Sequence, residues 1–331
     1  MRDPGIHWQQ RTWLSTALLP LAGLYCLLVR VRRLAYRLGV LRTQHLSVPV
    51  IVVGNITVGG TGKTPLVIWL AELLRQQGWR PGIVTRGYGG NARAWPLQVL
   101  PDSDPRKVGD EPVLLARHAG CPVVAGPDRV ADADMLVLEH NCNVIISDDG
   151  LQHYRLGRDI EIALVDGERR FGNGRCLPAG PLREPLKRLR EVQARVANGV
   201  PQDGEIGMQL ETNALHPLQS GASVSVAEFG CGDPIHAVAG IGHPARFFQH
   251  LRSQGFVVIE HAFADHHAFR PKDIDFPEHT RVIMTEKDAV KCQTFARANH
   301  WYLSVKAVPE PPLASLILKL LKGKKRGQKT A

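Results

Sequence analysis

The 331-residue sequence predicts an α/β fold built on a parallel sheet, with two domains behind an N-terminal helical segment. Three observations predict it. Short Val/Ile-rich runs alternate with stretches whose apolar residues recur at helical spacing, the pattern of βαβ units. The chain is too long for one average domain, and the alternation starts afresh after a Gly-, Pro- and Arg-rich stretch, FGNGRCLPAGPLREPLKRLREV. The beginning of the chain fits neither pattern, because a long uncharged apolar run is followed there by arginines. The expected bounds are 1–45 for the N-terminal segment, 46–170 for the first domain, and 171–331 for a second, smaller α/β domain with a basic tail.

The apolar run is WLSTALLPLAGLYCLLV, 17 residues from Trp13 to Val29. As one helix it would span roughly 26 Å, against a hydrocarbon core about 30 Å thick. Pro20 and Gly23 interrupt it further. Arg30, Arg32, Arg33, Arg37 and Arg42 follow, interleaved with Val31, Leu34, Tyr36, Leu38 and Leu41, a basic amphipathic pattern suited to anionic lipid. The charge comes after the apolar run and no small-residue cleavage site is evident, which argues against a cleaved signal peptide. The segment reads as a membrane anchor that either spans the bilayer or dips into its interface. If it inserts, the arginines keep the next domain on the cytoplasmic side. The tail, LILKLLKGKKRGQKTA, carries Lys322, Lys324, Lys325, Arg326 and Lys329, and reads either as a solvated terminus or as a second lipid contact.

At 44% hydrophobic and 22% charged residues the chain is globular, and its formal charge of +10 calls for an anionic partner. The densest basic run adjoins an apolar segment instead of interleaving with exposed aromatics, so a membrane surface explains the charge and nucleic acid does not. Six cysteines are scattered without C-x-x-C spacing, which fits a reducing compartment and excludes a disulfide framework.

The first domain opens on HLSVPVIVVGN, a buried-strand pattern, and then VGNITVGGTGKTP. KTPLVIWLAELLRQQG continues at helical spacing and ends at Gly78, so strand, glycine loop and helix come in the order of a P-loop. Thr57, Val58, Gly59, Gly60, Thr61, Gly62, Lys63 and Thr64 would form a phosphate cradle from backbone N–H groups and a helix N-terminus. Lys63 would reach the terminal phosphates and the Thr64 hydroxyl would sit on Mg²⁺. Thr57 stands where the usual pattern has its first glycine.

Three acidic motifs accompany the loop. NVIISDD is an apolar strand ending in Asp148 and Asp149, placed to hold Mg²⁺ at the carboxyl end of the sheet. VGDEP offers Asp110 and Glu111, either a helix N-cap or a metal ligand next to a proton acceptor. FADHHAF offers Asp265, His266 and His267, a general base or polarising pair; with His261 it is also a weak metal pattern.

In chain order the motifs are GN-x-TVGGTGKTP, TRGYGG, VGDEP, P-D-R, SDDGLQH, AGPLRE, GIG-x-P-x-RF, F-x-DHH and MTEKDAVK, between residues 54 and 291. With the N-terminal apolar segment, this set closely resembles the tetraacyldisaccharide 4′-kinase family of Gram-negative lipid A biosynthesis. The resemblance implies an ATP- and Mg²⁺-dependent kinase at the cytoplasmic face of the inner membrane. Its partner would be an anionic glycolipid, tetraacyldisaccharide 1-phosphate, phosphorylated on its 4′-hydroxyl. Carried over to this chain, it implies Asp110 as the base with His266 as its partner, and Lys63 on the triphosphate. It also implies Glu111, Asp148 and Asp149 as the acidic metal cluster, and Arg86, Tyr88, Arg129 and Arg183 as phosphate or substrate contacts. If His266 belongs to the second domain, catalysis would need the domains to close around ATP. The alternative is a membrane-associated P-loop ATPase or GTPase switch. A GTPase would show N/T-K-x-D, and MTEKDAVK has the order T-x-K-D instead.

Overall fold

The computed structural model describes residues 5–325 apart from Arg93, Cys231 and Glu278. Arg326 and Lys329 of the basic tail lie outside the described residues. Three helices come first: α1 (Gly5–Gln9), α2 (Trp13–Ala17) and α3 (Leu19–Arg37). Next are β1 (Val50–Gly54), α4 (Lys63–Gln76), β2 (Pro81–Thr85), β3 (Leu97–Val99), α5 (Pro105–Val108) and α6 (Asp110–His118). Then follow β4 (Val123–Ala125), α7 (Arg129–Leu138), β5 (Val144–Asp148), β6 (Ile160–Asp166), β7 (Ala194–Asn198) and β8 (Ile206–Pro217). The remainder is α8 (Val226–Phe229), β9 (Pro234–Ala239), α9 (Pro244–Ser253), β10 (Val257–Ala262), β11 (Arg281–Thr285), α10 (Glu286–Cys292), β12 (His300–Pro309) and α11 (Pro311–Lys325).

All twelve strands join one sheet in the order β10-β9-β11-β12-β8-β7-β6-β1-β5-β2-β4-β3. Most neighbours are parallel; the exceptions are β8 with β12 and β3 with β4. β1 lies between β5 and β6 and is buried along its length, which is why VIVVG carries no polar alternation. The register puts Val53 beside Asp148 and Gly54 beside Ala163, so the P-loop leaves the sheet next to the acidic end of β5.

Helices cover both faces. On one face Leu66, Leu70 and Leu74 of α4 and Val113 and Leu115 of α6 pack in a cluster with Val196, Met208 and Ala307 of β7, β8 and β12. On the other, Val130, Ala133 and Leu136 of α7 meet Val50, Val52 and Ile145. Residue 170, the division expected from the sequence, lies between β6 and β7, which pair within this sheet. The stretch after it is wound beneath the P-loop: Val58 N donates to Pro181 O (2.9 Å) and Arg183 N to Ile56 O (2.7 Å). Around β9 to β12 lie two further clusters, one including Phe248 and Leu251 of α9 and the other Ala289 and Cys292 of α10.

The apolar part of the tail is spent on the core. Leu313, Ile317 and Leu321 of α11 recur one turn apart and are fully buried against the α4 side of the sheet. Leu316 and Leu320, partly buried, pack against the same cluster.

No helix among the described residues is long and apolar enough to cross a membrane, as the spanning form of the N-terminal anchor would require. The physical reason is a break at Leu18. The apolar run is divided between α2 and α3, with Pro20 in the first turn of α3, and α3 continues through Arg30, Arg32, Arg33 and Arg37. One side of α3 is docked on the body: Ala22 is buried, the Tyr25 hydroxyl donates to Arg183 O (3.0 Å), and Arg33 and Arg37 pair with Glu191. The other side shows Leu21, Leu24, Leu27, Leu28, Val31 and Leu34, each more than half exposed.

Candidate active site

The P-loop is shaped by its backbone and by three side chains that hold its carbonyls outward. Asn55, fully buried, reaches Gly59 O (3.4 Å); Arg169 donates to Gly60 O (2.7 Å); Asn198, at the end of β7, donates to Thr61 O (3.0 Å). With those carbonyls engaged, the N–H groups of a glycine loop ahead of a helix are the groups left to form an anion-binding nest. Gly62 sits at φ +91°, and a Cβ there would lie 2.7 Å from Asn198 Nδ2, so no larger residue fits. Thr57 has no positive φ, and its main chain bridges to Leu182, so the first position of the loop needs no glycine. Lys63 begins α4, its Nζ 3.4 Å from Asn55 Oδ1 and 3.6 Å from Asp149 Oδ1, with Thr64 beside it on the first turn. The Thr61 hydroxyl is buried and has no hydrogen-bond partner among the described residues.

Beside the loop the two aspartates of β5 part company. Asp148 is buried; its Oδ2 accepts from the Thr85 hydroxyl (3.3 Å) and its Oδ1 has no hydrogen-bond partner among the described residues. Burial, with Glu111 and Asp149 nearby, pushes its carboxyl up to about 7. Asp149 turns away at φ +48° and takes Arg183 on both oxygens (3.1 and 2.9 Å). Burial pushes Asp149 up as well, but Lys63 and then Arg183 prevail and hold it below its ordinary value.

A folded-state value above the unfolded one means that the folded chain grips the Asp148 proton more tightly. Stability then falls as pH rises from about 4 to about 7 and stays low above that. The full difference corresponds to about 4 kcal/mol. Asp148→Asn is therefore expected to raise the thermal unfolding temperature of the ligand-free protein in alkaline solution. The gain should vanish near pH 4, and a less stable variant at alkaline pH would contradict the account.

Opposite the loop, Asp110 and His266 meet. Asp110, nearly buried, is the first residue of α6, where Gly109 at φ +96° turns the chain into the helix. Asp110 Oδ2 lies 3.2 Å from His266 Nδ1. The His266 ring rests against Tyr88, with centroids 4.9 Å apart. Burial opposes ionisation of Asp110, but the His266 hydrogen bond and the charges of Lys287, His266 and Lys291 outweigh it and hold the carboxyl below its ordinary value. That same bond raises the His266 imidazole. Lys287 spans Glu111 Oε1 (3.0 Å), Asp265 Oδ1 (3.4 Å) and His266 Nε2 (3.4 Å). Burial works against the Lys287 charge, yet the acids around it, Glu111 first, raise its value overall.

The loop after β9 closes the arrangement. A Cβ on Gly242 would lie 3.0 Å from Gly60 N and 3.5 Å from Asp265 Oδ2, so this loop packs on the phosphate cradle itself. The loop after β1 and the start of α6 thus face segments that follow β9 and β10, Gly242 against Gly60 and His266 against Asp110. A glycine loop with a lysine, a buried carboxylate with one oxygen unpartnered among the described residues and a paired Asp–His can position a polyphosphate and accept a proton.

The sequence profile of the tetraacyldisaccharide-1-P 4′-kinase family matches residues 14–322. The chain belongs to this family. It is 53% identical over 313 residues to the tetraacyldisaccharide 4′-kinase of Nitrosococcus oceani, covering 95% of this chain and 91% of that one. It is 54% identical to the protein of that name from Alkalilimnicola ehrlichii, covering 94% of each. Among solved structures it is similar to LpxK from Aquifex aeolicus, an "apo" form in complex with ATP, with a TM-score of 0.78 at 31% identity, over 93% of this chain and 99% of that one.

As a tetraacyldisaccharide 4′-kinase family member the chain is a phosphotransferase with an α/β P-loop fold, as its motifs imply. The structure brings His266 to Asp110, whereas His267 faces Asp273 (3.0 Å) and His261 faces His236 (2.8 Å). Among the four arginine and tyrosine candidates, Tyr88 and Arg86 are exposed near the site. Arg129 is buried on Gly126 O (3.0 Å) and Asp148 O (3.1 Å), and Arg183 is held by Asp149. Sequence reasoning passed over Asn55, Arg169, Asn198, Gly242 and Lys287. Asn198 had a signal: it ends the apolar run ARVAN as Asp148 ends VIISD.

Proposed function

We propose that this chain transfers the γ-phosphoryl group of ATP to the 4′-hydroxyl of tetraacyldisaccharide 1-phosphate. The observation that carries this is the convergence of the P-loop and the Asp110–His266 pair, with Gly242 touching Gly60 and lying beside Asp265. Asp110 takes the hydroxyl proton as the oxygen bonds to the γ-phosphorus; the bond to the bridging oxygen breaks and leaves ADP. His266 holds the carboxylate through its ring N–H. Lys63 and the loop amides of residues 57–64 hold the β- and γ-phosphates and spread the charge of the transition state. Arg86 and Tyr88, exposed beside the pair, are the residues best placed to touch the sugar phosphate.

Mg²⁺ fits these donors. Asp148 Oδ1 is buried with no hydrogen-bond partner among the described residues and lies among acids, the environment a divalent cation relieves. Mg²⁺ is usually held by one or two carboxylates with waters and phosphate oxygens. The described residues contain no cluster of three His, Cys, Asp or Glu, and such a site needs none. Asp148 and the Thr64 hydroxyl would hold the ion, with Glu111 and Asp149 completing the acidic surround; bound, it would neutralise phosphate charge. The working division is a P-loop part that binds ATP and a later α/β part that brings His266.

The exposed apolar side of α3, flanked by arginines, would lie in the lipid interface at the cytoplasmic face of the inner membrane, where an anionic glycolipid is presented. Leu24→Ser with Leu28→Ser is expected to weaken partition onto anionic vesicles by at least about tenfold, since burying one leucine contributes about 1.5 kcal/mol or more. Co-sedimentation measures it, and unchanged partition would remove α3 as the contact.

The reading is tested by γ-labelled ATP with tetraacyldisaccharide 1-phosphate in detergent micelles. Label is expected on the lipid. Label released only as inorganic phosphate would overturn the kinase reading and favour an ATPase switch.

A further inference from the structure

Of MTEKDAVK, the reaction as described uses nothing, yet α10 aims two lysines one turn apart at the Asp110–His266 pair. Lys287 Nζ meets Glu111 Oε1, Asp265 Oδ1 and His266 Nε2 at 3.0, 3.4 and 3.4 Å. Lys291 Nζ lies 2.8 Å from Asp288 Oδ1 and 3.8 Å from Asp110 Oδ2. The helix that presents them is fixed in place. Asp288, fully buried, accepts from the Thr285 hydroxyl (2.6 Å) and from Gly240 N (2.8 Å), which ties α10 to the loop that packs on the P-loop.

His266 needs such support. It sits on a loop after β10 at φ +59°, its ring only partly buried, with the Tyr88 ring against one side. An imidazole in that setting can turn over about its last side-chain torsion, which puts a ring carbon where each nitrogen was, and it can carry its proton on either nitrogen. The chemistry of its two partners selects one. An ionised carboxylate only accepts, so the nitrogen facing Asp110 must carry the proton; an ammonium only donates, so the nitrogen facing Lys287 must offer its lone pair. The other tautomer would point an N–H at the Lys287 ammonium and a lone pair at the Asp110 carboxylate, and both contacts are unfavourable; the reversed ring would offer ring C–H groups to both and lose both hydrogen bonds.

We propose that Lys287 is a positioning residue for phosphoryl transfer, its ammonium anchored by Glu111 and Asp265 and holding His266 in the ring orientation that presents Nδ1–H to Asp110. This rests on the assignment of Asp110 and His266 as the proton-accepting pair. The lysine acts through the histidine, so its removal costs rate only while the histidine is there to be misplaced.

The test is a double-mutant cycle on the full chain in micelles with Mg²⁺-ATP and tetraacyldisaccharide 1-phosphate: wild type, Lys287→Met, His266→Ala and the pair combined. Lys287→Met is expected to lower kcat by roughly tenfold to a hundredfold, the scale on which misplacing a catalytic group acts, with KM for ATP little changed. In the His266→Ala background the same change should cost almost nothing, and Lys287→Arg should restore most of the rate. Equal losses in both backgrounds would overturn the proposal. A wild-type rate in His266→Ala would instead overturn the pair on which it rests. Nitrogen-15 NMR of the wild-type His266 ring in mildly alkaline solution reads the same point without any variant: a proton on Nδ1 alone supports the proposal, and a proton on Nε2 contradicts it.

Discussion

Asp110→Asn lowers kcat by about a hundredfold to ten-thousandfold, the contribution of a positioned general base, while ATP still binds. The amide keeps the size of the side chain and its place at the first turn of α6, but it cannot take the hydroxyl proton. It also gives His266 Nδ1 an acceptor only if the amide oxygen faces the ring, in place of a carboxylate held ionised by His266, Lys287 and Lys291. Measured at saturating ATP and acceptor, the loss should fall on kcat, because Asp110 contacts none of the P-loop groups that hold the nucleotide. A change in KM for ATP with kcat intact would move Asp110 from the chemistry to nucleotide binding.

Lys63→Ala is the second large effect, and its signature differs. Lys63 Nζ lies between Asn55 Oδ1 and Asp149 Oδ1, the only acceptors it has among the described residues, and at the head of α4 it faces the inside of the loop. Removing it takes a charge from the terminal phosphates in ground and transition states alike, so both ATP affinity and kcat should fall. A loss of about a hundredfold or more in kcat/KM is expected, the scale of one charge-stabilising group. Loss of that lysine also leaves Asp149 with Arg183 as its neighbour in contact, so the loop itself need not collapse. Titration with a non-hydrolysable ATP analogue separates the two parts. Unchanged affinity together with unchanged turnover would remove Lys63 from the site.

How much of this was legible in the sequence differs from residue to residue. The P-loop was legible because its signal is local: a buried strand, glycines and a helix follow one another within a few turns, and Asp148 closes a second strand in the same way. The Asp110–His266 contact joins residues 156 apart in the chain, and no periodicity relates them; only the ordered set of motifs pointed to it. Between His261, His266 and His267 spacing made no choice, whereas the fold gives each a different partner: His236, Asp110 and Asp273. Asn198 ends an apolar strand as Asp148 does, but Arg169 acts on a P-loop carbonyl from the turn after β6, and a single polar residue there carries no mark of the loop it will meet. The tail was ambiguous for a related reason. The spacing of Leu313, Ile317 and Leu321 makes an apolar stripe, and a stripe that covers a core reads the same as one that meets lipid.

The most direct test of the account compares two acceptors in one assay: tetraacyldisaccharide 1-phosphate and the same lipid lacking its 4′-hydroxyl, each with γ-labelled ATP and wild-type protein. The account predicts label on the first lipid and none on the second. Label on the acceptor without the 4′-hydroxyl, or on neither while ATP is consumed, would contradict it.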